Sequence, residues 1–176
     1  MIFRGRQPES VVWHRFRSGL DTFSFGKDGE VYVARVNANA ERVLELMHAL
    51  SSELLPAVDV ALTDHRRGLH WRGEVVALPD VRGALARLKL PLAAYAGVEL
   101  ALYTTEDQIT LTPSLELYLY GRSDRWSYIL LGKGLMESES LPVDRERIVG
   151  SLSPAPELAS AIDQMVERLS LQPVEE

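Results

Sequence analysis

The chain has 176 residues and a formal net charge of −6, with 46% hydrophobic and 25% charged residues. These proportions are typical of a globular protein and exclude an intrinsically disordered chain or a bundle of membrane spans. The absence of cysteine excludes disulfides, thiolate nucleophiles and cysteine-ligated zinc.

The length suffices for one self-sufficient core. We therefore predict a single domain over residues 1–176, with a mobile arm at 1–10 and a mobile tail at 171–176. No apolar run is long enough to cross a bilayer, and the N-terminus lacks the apolar core of a signal peptide. These features favour a cytoplasmic protein that does not bind membranes.

The negative charge is concentrated near the C-terminus. Residues 137–176 contain nine acids and three bases and so carry all six excess negative charges. The isoelectric point is about 5.3, and basic residues cluster only in the N-terminal arm. Nucleic-acid binders usually have a high isoelectric point and a basic face. The charge pattern therefore argues against a nucleic-acid partner.

The first part of the chain predicts a hairpin followed by a helix. A short run at 11–16 is rich in β-branched and aromatic residues. Strands are predicted at 22–25 and 30–36, because the connection between them contains Asp-Gly, a strong turn signal. Asn39 is a candidate N-cap for a helix over 40–54, which carries an apolar stripe at helical spacing.

A second hairpin followed by a helix is predicted next. Alternating residues at 58–63 predict a strand that returns at 69–78 across a polar loop at 64–68. A shorter amphipathic helix is predicted at 80–89, and we expect Pro91 to end it.

Strands dominate the next stretch of sequence. Strands are predicted at 98–103 and 109–112, with Pro113 marking a strand end. With a hairpin at 115–131 they would form a four-stranded meander. We expect residues 132–150 to be mostly loop, with a short helix at 144–149.

A last amphipathic helix is predicted after Ser153, which would cap it, with Pro154 in its first turn and an apolar stripe that extends to Leu169. Short connections and repeated hairpins favour antiparallel pairing. The predicted fold class is therefore α+β, a mostly antiparallel sheet of hairpins with a C-terminal four-stranded meander and three amphipathic helices packed on it.

The predicted hairpin at 115–131 has two chemically different faces. With a five-residue loop from Gly121 to Arg125, Tyr120 pairs with Trp126 and Tyr118 pairs with Tyr128. Because side chains alternate along strands, one face is aliphatic. The other face consists of Glu116, Tyr118, Tyr120, Trp126, Tyr128 and Leu130.

Tyrosine and tryptophan combine a large apolar area with a polar tip, which is typical of surfaces that bind a partner. Glu116, Arg122 and Arg125 would supply the polar rim of such a surface. Two alternatives remain open. The C-terminal helix could cover this face as a second core layer, or a four-residue loop at 122–125 could shift the pairing and place Trp126 opposite Gly121.

A second candidate site is the loop that contains Asp64, His65, Arg66, Arg67 and His70. Asp64 could orient His65 as a general base, either arginine could bind an anion, and His70 could donate a proton. Turn chemistry alone also accounts for polar residues in a hairpin loop. No third ligand at suitable spacing accompanies the two histidines, so we predict no metal site.

Motifs for nucleophilic, metallopeptidase, dinucleotide or calcium chemistry do not occur in the sequence. Gly132-Lys133-Gly134 lacks the spacing and the Ser or Thr of a phosphate loop. The leading hypothesis is therefore a non-enzymatic protein-binding or regulatory domain of the adapter, chaperone or inhibitor type, without a cofactor. Its partner would be another protein or a second copy in a homodimer. The alternatives are a small-molecule-binding pocket protein and a hydrolase or transferase that uses the Asp64–His70 loop.

Overall fold

The computed structural model describes residues 21–54, 56–139 and 153–175. The predicted strand run at 11–16, the arm at 1–10 and the short helix at 144–149 lie outside these ranges. Within the described residues there are four α-helices and nine strands. The strands are β1 (Thr22–Asp28), β2 (Val31–Asn37), β3 (Ala57–Asp64), β4 (Leu69–Ala77), β5 (Val98–Tyr103), β6 (Asp107–Leu111), β7 (Leu117–Gly121), β8 (Met136–Glu137) and β9 (Gln172–Pro173). The helices are α1 (Ala40–Leu50), α2 (Leu78–Tyr95), α3 (Arg125–Gly132) and α4 (Pro156–Arg168), with a 3-10 turn at Ser51–Glu53.

All nine strands belong to one sheet, in the order β8-β1-β2-β7-β6-β5-β3-β4-β9. Every pairing is antiparallel except the short contact between β1 and β8. The pairing of β2 with β7 joins the first hairpin to the later strands. Both edge strands have only two residues. The structure confirms the predicted α+β class.

Local sequence signals account for the first hairpin and the first helix. The β1–β2 turn is the pair Gly29-Glu30, and Gly29 adopts a φ of +60°, a conformation that glycine reaches without steric cost. The side chain of Asn39 accepts a 2.9 Å hydrogen bond from the backbone N–H of Arg42, which confirms the predicted N-cap.

One face of the sheet is covered by helices. Alternate residues of the seven long strands, such as Phe23, Leu62 and Leu119, form a single apolar cluster with buried side chains of all four described helices. Helix α2 contacts both α1 and α4 within this layer. We call this side of the sheet the core face, and the opposite side, where no described helix packs, the helix-free face.

The predicted second strand of the 115–131 hairpin is wrong, because residues 125–132 form α3. Trp126 and Leu130 lie one helical turn apart and are both buried, which is a helical rather than an alternating pattern. The β5–β6–β7 meander therefore has three strands, and the described helices number four instead of three. The predicted pairs of Tyr120 with Trp126 and of Tyr118 with Tyr128 do not form.

Two helix boundaries also differ from the prediction. Helix α2 continues through Pro91 to Tyr95. Proline removes one i to i−4 hydrogen bond, but Leu92, Ala93 and Ala94 beyond it are all buried, and burial of apolar side chains offsets that loss. Helix α4 begins at Pro156 with Ala155 as its N-cap residue, rather than at Ser153 and Pro154.

The segment at 171–175 contacts the sheet. Leu171 is buried in the apolar cluster, and β9 pairs with Trp71 and Arg72 of β4. The backbone N–H of Val174 donates a 2.9 Å hydrogen bond to the carbonyl of His70. In residues 21–54, 56–139 and 153–175, no helix combines the length and the apolar character that a membrane crossing requires.

Candidate functional site

The strand register arranges the side chains of the helix-free face in two rows that cross the sheet. The first row runs through Val33, Tyr120, Gln108, Tyr103 and Asp59. The second row runs through Ser24, Arg35, Tyr118, Thr110, Ala101, Ala61 and Arg72. Most of these residues are partly exposed. The face is therefore a mixture of aromatic rings, hydroxyls and charged groups.

Two tyrosines lie side by side near the middle of this face. Tyr118 and Tyr120 are two residues apart in β7, so their rings project from the same side of the sheet. Their ring centroids are 6.2 Å apart and the rings are inclined by 13°. Stacked aromatic pairs of this kind are rigid apolar surfaces with polar ends.

Charged groups surround Tyr118. The guanidinium of Arg35 lies 5.9 Å from its ring centroid, and Nη2 of Arg35 donates to Oε1 of Glu116 at 3.0 Å. The hydroxyl of Tyr118 donates to Oε2 of Glu116 at 3.4 Å. Arg35 and Glu116 therefore hold the ring in place and add both signs of charge to the face.

Both tyrosines are held in the neutral form. Burial raises the pKa of Tyr118, and the negative charge of Glu116 adds to this shift. Burial also raises the pKa of Tyr120, with a contribution from Glu99. A phenol with a raised pKa keeps its O–H at neutral pH. The two hydroxyls are therefore hydrogen-bond donors and not phenolate nucleophiles.

The structure brings together three of the seven residues predicted for the aromatic binding face. Glu116, Tyr118 and Tyr120 are adjacent, as alternation predicted. Trp126 is wrongly placed by the prediction, because it is 0% exposed and lies on the core face. Its Nε1–H donates to the carbonyl of Tyr120 at 3.0 Å. The indole ring fits on the core face because Gly121 has no side chain. An added Cβ there would lie 3.1 Å from the ring.

Of the other three predicted residues, Arg125 and Tyr128 lie on α3 and so outside the helix-free face. Tyr128 is 67% exposed, but on α3. Arg125 donates to Oδ2 of Asp107 at 2.8 Å and lies over the indole ring of Trp126. Arg122 is exposed in the turn after β7. The two α3 residues therefore do not form a rim around the tyrosine pair.

Sequence reasoning did not include Arg35 and Tyr103 in this site. Both residues alternate with buried apolar neighbours in their strands, which indicated the side of the sheet on which they lie. Their proximity to Tyr118 and Tyr120 depends on the order of strands β2, β7, β6 and β5. Local sequence patterns do not specify that order.

In the second candidate loop, Asp64 organises the backbone. Its side chain is 2% exposed, and Oδ1 accepts hydrogen bonds from the N–H groups of Arg66 at 3.0 Å and Arg67 at 3.4 Å. Oδ2 accepts from Nε of Arg67 at 2.6 Å. This arrangement is the turn chemistry that aspartate commonly provides.

The two arginines of this loop connect it to the helices. Arg66 donates from Nη2 to the carbonyl of Tyr95 at 2.5 Å and from Nη1 to the carbonyl of Ala96, at the end of α2. Arg67 donates from Nη1 to Asp163 of α4 at 2.9 Å. Burial alone would lower the pKa of Arg67, but its hydrogen bonds to Asp64 and Asp163 outweigh burial and raise the pKa.

The two histidines of the loop are not arranged as an acid–base relay. No hydrogen bond joins Asp64 to His65 in the described part of the chain. Nδ1 of His70 is 3.1 Å from Oγ1 of Thr63, and the pairing of these residues places His70 on the helix-free face, opposite the side chain of Asp64. Among the described ranges, no three His, Asp or Glu side chains are grouped to hold a metal ion.

The fold and the site thus define an α+β domain whose single sheet has one helix-covered face and one aromatic, helix-free face. Comparison with protein-family models, with curated proteins and with solved structures finds no match.

Proposed function

We propose that this chain is a non-enzymatic protein-binding or regulatory domain of the adapter, chaperone or inhibitor type. It binds a protein partner, or a second copy of itself, through the helix-free face around Tyr118 and Tyr120. The observation that carries this proposal is the contrast between the two faces of the sheet: four described helices cover one face, whereas the other presents a stacked tyrosine pair beside an arginine–glutamate ion pair.

The composition of the helix-free face supports recognition of a protein. Tyrosine and arginine are enriched where protein interfaces carry most of their binding energy. Tyr103, Tyr118 and Tyr120 are each partly exposed, and Arg35 lies next to Tyr118 on the neighbouring strand. The neutral tyrosine hydroxyls add donors, so apolar contact and hydrogen bonding can occur at the same ring.

The size of the face indicates how a partner must bind. The seven long strands from β1 to β4 span about 29 Å at about 4.8 Å per strand, and five residues of strand span about 17 Å. The face therefore offers about 500 Å², against about 800 Å² per partner in a typical specific interface. A partner must cover the whole face and also contact its rim, with the tyrosine pair near the centre.

The homodimer form is tested by light scattering after size-exclusion chromatography. We compare the wild type with a Tyr118→Ser, Tyr120→Ser double variant and with Tyr128→Ser, a matched control that removes an exposed tyrosine from α3. If a second copy binds the face, the wild type and Tyr128→Ser are dimeric and the double variant is monomeric. A wild-type monomer eliminates the homodimer, and a dimer that survives the double variant places its interface elsewhere.

The heteromeric form is tested by quantitative affinity capture from the source cells with the same three proteins. A partner of the helix-free face is retained by the wild type and Tyr128→Ser and lost from the double variant. Thr110→Arg, which adds a long cation to the second row without removing an aromatic contact, gives the same loss. Equal capture by all four proteins would contradict binding at this face.

A further inference from the structure

We propose that a cavity on the core side of the sheet binds a small organic acid, meaning a carboxylate attached to a compact apolar body. The cavity lies between the β3–β4 loop and the start of α4. Asp64, Arg66 and Arg67 line it together with five apolar residues from 154 to 159. Since Asp64 and Thr63 project to opposite sides of β3, this site is separate from the helix-free face.

The volume of the cavity limits the ligand. It measures about 290 Å³. Small-molecule sites usually measure about 300–1,000 Å³. The cavity is therefore at the lower end of this range, a size that suits a small metabolite.

Arg67 provides the donor for the carboxylate. Nε of Arg67 binds Asp64 and Nη1 binds Asp163, whereas Nη2 makes no hydrogen bond in the described part of the chain. Asp163 is 59% exposed, so water and salt weaken its hold on the guanidinium. A carboxylate in the cavity can accept from Nη2 without breaking the short contact between Arg67 and Asp64.

The start of α4 adds positive potential to the same cavity. Ala155 and Pro156, at the N-terminus of this 13-residue helix, line the cavity, and no side chain caps the helix. The N-terminal end of a helix favours an anion, although the carboxylate of Glu157 in this first turn offsets part of that potential. Arg66 fixes this wall, because its Nε donates to the carbonyl of Ser153 at 2.8 Å while its Nη groups hold the end of α2. The binding geometry therefore exists before the ligand arrives.

The remaining lining is apolar and defines the rest of the ligand. Ala155 and Leu158 are buried, and Ala159 is half-buried beside them. A fully hydrated anion such as inorganic phosphate gains nothing from these walls, whereas a phenyl or short alkyl group loses apolar surface to water there. The ligand therefore needs a negative charge at one end and a hydrocarbon group at the other.

The test is a titration with phenylacetate, followed by backbone amide chemical shifts at pH 7. Phenylacetamide serves as the neutral isostere and inorganic phosphate as the free anion. Ala159→Leu fills the cavity, and Ser160→Leu is the matched control on the adjacent, exposed position of α4. Arg67→Gln is a second variant, which removes the cation and leaves the cavity volume open.

We expect phenylacetate to give saturable shifts at residues of the first turn of α4 and of the β3–β4 loop. The dissociation constant rises at least tenfold in Ala159→Leu, in Arg67→Gln and for phenylacetamide, and stays within twofold in Ser160→Leu. Phosphate gives no saturable shift at the α4 residues. Absence of saturable shifts with phenylacetate, equal binding by Ala159→Leu, or equal binding of phenylacetamide would each overturn the proposal. Loss of phenylacetate binding from both Ala159→Leu and Ser160→Leu would overturn the proposal as well.

Discussion

Replacing Trp126 with alanine tests the arrangement of α3 against β7. The indole ring is completely buried on the core face. Its Nε1–H donates to the carbonyl of Tyr120 at 3.0 Å, and the guanidinium of Arg125 lies 4.9 Å from its ring centroid. The substitution removes the ring, leaves a cavity beside Gly121 and deprives a buried carbonyl of its donor.

The expected cost follows from these contacts. Truncation of a buried tryptophan or phenylalanine to alanine usually costs about 3–5 kcal/mol. For a domain of this length, each kcal/mol lowers the melting temperature by about 2–4 °C, so the variant should melt about 6–20 °C below the wild type. Trp126→Phe keeps most of the apolar contact but loses the hydrogen bond, which alone costs about 1–2 kcal/mol.

The assay is urea unfolding followed by far-UV circular dichroism, which does not depend on the fluorescence of the removed tryptophan. Tyr128→Ala is the control, because its side chain is 67% exposed on the same helix, and a surface substitution of this kind changes stability by less than about 0.5 kcal/mol. If residues 126–131 were instead a strand with Trp126 on an outer aromatic face, Trp126→Ala would be nearly neutral. That result would refute the arrangement described above.

Three further predictions test other parts of the structure. Asp64→Asn should lower the unfolding free energy by about 2–3 kcal/mol, because a buried carboxylate loses charge-assisted bonds. Asp163→Asn, at the exposed end of the same Arg67 contact, should cost less than about 1 kcal/mol. Similar costs of the two substitutions in urea unfolding would contradict the structural role of Asp64. Burial, with nearby cations of α2, lowers the pKa of His48 below the value of 6.5 that is usual for histidine. The unfolded chain therefore binds a proton at a pH where the folded chain does not, so stability falls as the pH drops below about 6.5. His48→Gln should show a smaller fall between pH 7.5 and 5.5, and an unchanged fall would contradict this origin. Gly121→Ala places a Cβ 2.9 Å from a carboxylate oxygen and should cost about 1–3 kcal/mol in the same assay, whereas a neutral effect would indicate that α3 packs less tightly on β7.

Much of the fold was predictable because its signals are local. The turn at Gly29, the N-cap at Asn39 and the alternation of β3 each depend on a few neighbouring residues. The last part of the 115–131 segment was not predictable in this way. Residues 126–131 combine aromatic and aliphatic side chains without a clear period, and short apolar runs of this kind are compatible with either strand or helix.

Tertiary contacts decided two of the cases in which local rules failed. Pro91 did not end α2, because Leu92 and the two alanines after it are buried in the core. Residues 126–131 became helical where Gly121 leaves room for the indole ring of Trp126. Both outcomes depend on residues that are distant in sequence or on the order of the strands.

The candidate site was predictable only where its residues belong to one strand. Alternation along β7 placed Tyr118 and Tyr120 on one face, because both belong to a single strand. The contact of Tyr118 with Arg35 joins β7 to β2, more than eighty residues earlier in the chain, and no local pattern specifies it. The cavity at Arg67 likewise forms only when α4 docks beside the β3–β4 loop.

Site-specific photo-cross-linking tests the proposed binding face most directly. Benzoylphenylalanine replaces Tyr120 on the helix-free face in one protein and Tyr128 on α3 in another, and both are irradiated in the source cells. We predict a discrete cross-linked product, either a heterocomplex or a homodimer, from position 120 and none from position 128. Absence of a product from position 120, or the same product from both positions, would contradict the assignment of this face as the binding surface.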